Sequence, residues 1–170
     1  MRGLVVVAII AAGLVGCTAT VVLEGADDAI NPLCAEVMVR LPETVGELAQ
    51  RQTNAQGTSA WGTPATVTLR CGVPAPGPTT TLCVEAGGVD WIADDAQAPV
   101  YRFTTFGREP AVEVTERGHG DRQRVRDREV AADDTAARRQ RVAGGAHAGR
   151  EALESVANAV ARIPQTNSCL

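Results

Sequence analysis

Lysine is missing from this sequence altogether, and all sixteen basic residues are arginine. Aromatics are nearly as scarce: Trp61, Trp91, Tyr101, Phe103 and Phe106 are the only five, and they crowd into one window where the large core side chains are therefore expected. Two histidines occur, His119 and His147, and neither has a sequence neighbour that would orient it as a general base, so both read as surface residues. No Gly-x-Ser-x-Gly, Walker loop, dinucleotide fingerprint or His-Glu-x-x-His is present, and Ser59, Ser155 and Ser168 lack triad-like neighbours. With no Cys-x-x-Cys pair, no metal site and no cofactor are expected. Asp94-Asp95 falls far short of a calcium shell and reads as a solvated turn. The net charge of −4 argues against a nucleic-acid binder. A recognisable catalytic constellation is therefore excluded, and an enzyme is the less favoured reading. The form of it that stays open is a hydrolase of envelope polymers whose carboxylates, Asp90, Glu109 and Glu113, converge only in three dimensions.

What is present begins with Met1–Cys17. Arg2 supplies a positive n-region and Leu4 to Val15 a twelve-residue apolar h-region, the plan of a secretory signal. Leu14-Val15-Gly16-Cys17 resembles the lipobox of bacterial lipoproteins, in which the cysteine thiol receives a diacylglyceryl group and becomes the first residue. Two acyl chains anchor stably where one binds marginally. The competing reading is a single transmembrane helix over Leu4 to Leu23, twenty residues without a charge, against about 20 needed to span. Lipidation of Cys17 is favoured. With Arg2 before the run and Glu24, Asp27 and Asp28 after it, both readings place the remainder at the plasma membrane on its extracytoplasmic side.

Residues 18–30 read as a tether, and 31–170 as a single extracytoplasmic domain. Asn31 and Pro32 open a helix carrying Leu33, Val37 and Leu41, which Pro42 ends. Thr44-Val-Gly-Glu47 fits a capping box for a short second helix, and Gln52 to Gly62 reads as loop. Strands are expected at Ala65–Cys71, Leu82–Glu85, Val89–Ile92, Tyr101–Thr105 and Ala111–Thr115, with turns at Gly87-Gly88 and Phe106–Pro110. Such short spacings favour antiparallel hairpins. The clearest helix runs from Arg150 to Ile163, with Leu153, Val156, Val160 and Ile163 on one stripe and Pro164 after it. Between these parts, Glu116 to Arg150 carries nine arginines against six acids and stands apart from an otherwise acidic chain. The arginines from Arg122 to Arg141 read as a solvated helix or link, with anionic lipid heads or wall polymers as the functional alternative. The fold expected is α+β: a small antiparallel sheet of three to five short strands with N-terminal and C-terminal helices packed on it.

Six separated motifs carry a family resemblance. Trp61-Gly, Leu69-Arg-Cys-Gly-Val-Pro74, Gly88-Val-Asp-Trp91, Tyr101-Arg-Phe-Thr-Thr105, Gly107-Arg-Glu-Pro110 and Ile163-Pro-Gln-Thr…Cys169 resemble, in this order, an uncharacterised bacterial envelope family, the domain of unknown function numbered 3515. The resemblance implies a membrane-attached extracytoplasmic protein and assigns no activity. The Arg-rich segment is its departure from the family pattern.

Outside the cytoplasm thiols oxidise, so Cys34, Cys71, Cys83 and Cys169 read as two disulfides, and removing Cys17 to the lipid leaves this even set. Of three pairings, Cys71–Cys83 across the Pro-rich loop with Cys34–Cys169 is favoured. Trp61, Trp91, Arg102 and Arg108 form the candidate binding face, guanidinium groups among aromatics; the favoured reading is instead that Arg108 pairs with Glu109 within the fold and the arginine stems cover Tyr101 and Phe106. The function expected is a membrane-anchored lipoprotein that binds or scaffolds an envelope protein or polymer.

Overall fold

The structure, a computed structural model, describes residues 19–118 and 149–169. The signal stretch with Cys17, both histidines and the arginines from Arg122 to Arg141 lie outside the described residues.

Eight strands form one antiparallel sheet: β1 (Thr44–Val45), β2 (Leu48–Arg51), β3 (Thr58–Trp61), β4 (Val67–Val73), β5 (Cys83–Ala86), β6 (Val89–Gln97), β7 (Val100–Thr105) and β8 (Ala111–Arg117). Their order is β1-β2-β3-β4-β8-β7-β6-β5. The expected strands are β4 to β8, and the alternation read in the β4 stretch is the alternation observed. Val67, Leu69 and Cys71 on β4 are buried while Thr68 and Arg70 between them are half-buried. The expected small sheet of three to five strands is corrected: three further strands extend it beyond β4, and the domain is mostly β.

Those three strands gave weak signals for physical reasons. Thr44 to Glu47 is no helix but β1 and the two-residue turn into β2. Gly46 has φ +55, at the first turn position where a tight hairpin wants glycine. β3 lies inside the expected loop because Thr58 and Ser59 look polar, yet all four of its residues are buried. Their hydroxyls are satisfied locally, Thr58 Oγ1 donating to the Ala55 carbonyl and Ser59 Oγ accepting from Gln50 Nε2.

Two helices are present among the described residues. In α1 (Pro32–Met38) the Asn31 side chain accepts from the Leu33 amide at 3.0 Å, and Pro32 stands at the first helical position. The second, α2 (residues 149–160), lays Ala152, Leu153, Val156, Ala157 and Val160 onto the sheet. These meet Trp61, Leu69, Trp91, Phe103, Val112 and Val114 in one core on the inner face. No helix among the described residues is long and apolar enough to cross a membrane.

The register gives the sheet two distinct ends. Turns at 46–47, 62–66 and 97–100 lie at one, the entry end, where Arg51 Nη2 donates to the Ala19 carbonyl at 2.6 Å. Turns at 87–88 and 106–110 lie at the other, where the tail 163–169 crosses the sheet as a strap. The stretch expected as a tether is fastened from Ala19 onward. Val21 exchanges backbone bonds with Gln52 and Asn54, Leu23 N–H donates to Asn54 Oδ1, and Asp28 N–H to the Gly72 carbonyl.

Candidate functional site

Pairing that puts Leu69 and Val114 inside puts Arg70, Glu113 and Thr104 outside, in one row across β4, β8 and β7. The adjacent row brings Thr68, Thr115, Arg102 and Asp94 together. Neither helix packs on this outer face. At its centre the Glu113 carboxylate, only 13% exposed, lies 3.3 Å from Arg70 Nη1 and 3.3 Å from Arg102 Nε. The Arg70 contact is aligned as a hydrogen bond, whereas the Arg102 contact is an ion pair without that alignment. Arg70 and Arg102 are 34% and 43% exposed, so part of each guanidinium reaches solvent. In water such pairs add roughly 0.2–1 kcal/mol each, so the arrangement contributes more to presentation than to stability. It offers fixed planar donors to an acceptor-rich partner.

Of the four residues expected to form a binding face, only Arg102 belongs to this surface. Trp61 and Trp91 are wholly enclosed, and Arg108 is 5% exposed. The Trp61 indole N–H donates to the Pro42 carbonyl at 3.0 Å, while that of Trp91 has no acceptor among the described residues. The expected aromatic and arginine face is therefore corrected: the aromatics fill the core, as ring area seeks burial. Arg108 does not pair with the exposed Glu109 either. Its guanidinium donates to the Ile163 carbonyl and to Gln165 Oε1, the latter at 3.1 Å. Burial lowers its pKa from the ordinary value, against the opposing charge of Asp90.

Asp90 is occupied as well. Its Oδ2 accepts from Gln165 Nε2 and from the Cys169 amide, both at 3.0 Å. The strap sits so close to the 106–110 turn that a Cβ on Gly107 would lie 1.9 Å from the Asn167 carbonyl oxygen. Only glycine fits there, and its φ of +69 requires it independently.

The disulfides are Cys34–Cys71 and Cys83–Cys169, with Cα separations of 5.5 and 6.4 Å. The expected pairing is overturned by the strand order. β8, β7 and β6 stand between β4 and β5, which puts Cys71 and Cys83 roughly 19 Å apart at about 4.8 Å per strand. A disulfide needs Cα atoms within about 7 Å. Donor atoms of Cys83, Asp90 and Cys169 lie within 4.8 Å of one another, but both sulfurs are spent on the bridge and offer no thiolate. Asp94 and Asp95 lie on β6, and Asp94 Oδ1 accepts from the Ala96 amide.

Sequence reading missed Arg70, which enters the site only through the β4–β8 pairing, and two residues outside it. Arg51 ties three pieces of chain, donating to Gly62 and Ala19 carbonyls and Thr63 Oγ1. Glu116 faces the inner side at the entry end, where burial and then the charge of Glu151 push its pKa up to about 7. No local pattern announces either, since both roles depend on non-local neighbours.

A disulfide-stapled antiparallel sheet, filled on one face and, among the described residues, uncovered on the other over β4, β8 and β7, is the class of domain these features define. The chain belongs to the family described as Protein of unknown function (DUF3515), whose model matches residues 2–167. No curated protein and no solved structure matches the chain.

Proposed function

We propose that the protein is a lipid-anchored, extracytoplasmic binding or scaffolding protein of the cell envelope, presenting its outer sheet face to a partner protein or polymer. The observation that carries a non-enzymatic reading is the fate of the three acids a hydrolase would need to bring together. Asp90 is committed to the strap, Glu109 is exposed on a turn, and Glu113 is held between two arginines. Along and across the strands Asp90 and Glu113 are roughly 12 Å apart. Asp90 and Glu113 already have their partners and do not face each other, and Glu109 stands in solvent.

The anchor reading draws support from Ala19. A transmembrane helix over Leu4 to Leu23 would need residues that are extended and bonded to Arg51, Gln52 and Asn54. The apolar run left before Ala19, Leu4 to Thr18, would span only about 22 Å as a helix, short of a hydrocarbon core of about 30 Å. A lipidated Cys17 needs no such length.

Two measurements test the proposal. Labelled palmitate should enter the wild type and not Cys17→Ala, and label in both would refute the anchor. Photo-crosslinkers at Thr68 or Thr104 in intact cells should trap one envelope component that Arg70→Ser/Arg102→Ser loses, while turnover of an envelope polymer by the purified protein would overturn the non-enzymatic reading.

A further inference from the structure

We infer that the entry end of the sheet is apposed to the bilayer surface, with the turns at 46–47, 62–66 and 97–100 facing the lipid headgroups and the strap end pointing away. This rests on the lipid anchor proposed above and adds the surface and orientation it imposes.

The inference follows from reach. Only Thr18 separates the acylated Cys17 from Ala19, whose carbonyl is fixed by Arg51. Two backbone steps reach about 7 Å. Arg51 binds the Gly62 carbonyl and Thr63 Oγ1 with the same guanidinium, so the anchored point and the 62–66 turn are one locality. A long flexible linker would let the domain tumble; two residues do not. From Ala19 the chain runs along β2 and β3 toward the far end, where Asp28 meets Gly72, so the anchor exits at one end of the strands and not at their middle.

The chemistry of that end tolerates headgroup contact. Thr63, Pro64, Ala98 and Pro99 are exposed and uncharged, and Arg117 is exposed at the end of β8. Val39, 77% exposed, lies three residues before Pro42, whose carbonyl receives the Trp61 indole at this end. Glu43 and Glu47 are exposed there too, so the net charge supplies no general attraction to anionic lipid. Tether length, rather than affinity, sets the orientation. β4 is seven residues long, so the strap end stands roughly 25 Å farther from the membrane.

The experiment uses the full-length acylated protein in vesicles of phosphatidylcholine with phosphatidylglycerol. It is compared with a variant carrying a ten-residue Gly/Ser spacer between Thr18 and Ala19. Both are floated and then footprinted with hydroxyl radicals. Pro64 and Pro99 should be labelled several-fold less in the wild type than in the spacer variant, with Glu109 and Pro164 labelled equally in both. Equal labelling of Pro64 and Pro99 in the two proteins, or protection at Glu109 and Pro164, would overturn the orientation while leaving the anchor standing. A wild type that does not float removes the anchor and the orientation with it.

Discussion

On β8, Val112 and Val114 point into the core with no exposure, and Glu113 between them points outward beneath two arginines. The two faces of one sheet thus come from alternate residues of the same strands, yet they are held by different physics. The inner face is stabilised by area removed from water, at roughly 25 cal/mol per Å², and leaves little room for change of volume. The outer face is stabilised by its strands' backbone bonds, and its side chains are available for something else. Two charged groups break the division. Arg108 and Glu116 lie where apolar side chains belong, each at one end of the sheet.

The contrast is broken most severely from the inside. Phe103→Ala should cost about 3–5 kcal/mol, and its neighbour Thr104→Ala less than about 0.5, by urea denaturation of the oxidised protein. Comparable losses would mean that the outer face is also a packed interface. Next comes the strap: Cys83→Ser/Cys169→Ser should cost about 2–5 kcal/mol, the chain-entropy contribution for a separation of 86 residues being about 4.6 kcal/mol before native strain is subtracted. No loss would show that hydrogen bonds alone hold the tail.

Glu116 gives a smaller and pH-dependent effect. Its folded pKa of about 7 lies above the ordinary 4.5, so its share of stability is complete below about 4.5 and disappears as pH rises through about 7. Discounted for partial solvent screening, the change amounts to roughly 1–2 kcal/mol. Glu116→Gln should therefore flatten the difference in urea midpoint between pH 5 and pH 8 and be the more stable chain at pH 8. An unchanged pH dependence would place the carboxyl in water. Smallest of all is the outer face itself, where Arg70→Ala should cost only about 0.2–1 kcal/mol. If it instead weakens trapping of the partner strongly, the face is functional rather than merely solvated.

Legibility followed the same division. β4 announced itself by alternation, β5 to β8 as short β-rich runs set off by turns, and the two helices by a cap or a terminating proline and an apolar stripe. β1 has only two residues and β2 lacks an alternating pattern, while β3 is buried on both sides and opens on Thr58 and Ser59, which hydropathy does not reward. The disulfide pairing failed for a topological reason. Cys71 and Cys83 flank one loop in sequence, but β4 pairs with β8, and the Pro-rich stretch is a crossover to the far edge. The aromatic window does hold the large core side chains, as expected, while the candidate face drawn from it loses Trp61, Trp91 and Arg108 to burial. Composition cannot tell an anchor of the core from a binding residue, and burial had to decide.

The bridge pattern has a mechanical meaning. For tension applied between Ala19 and Cys169, the covalent load path runs from 19 to Cys34, crosses to Cys71, follows the crossover to Cys83 and crosses again to Cys169. Residues 35–70 and 84–168 are shunted out of that line, so the core, the outer face and α2 bear none of the pull once the bridges are taut. With the chain held at Ala19, as the proposed anchor would hold it, a pull on the strap would stretch the entry segment and the Pro-rich crossover and leave the outer face in register.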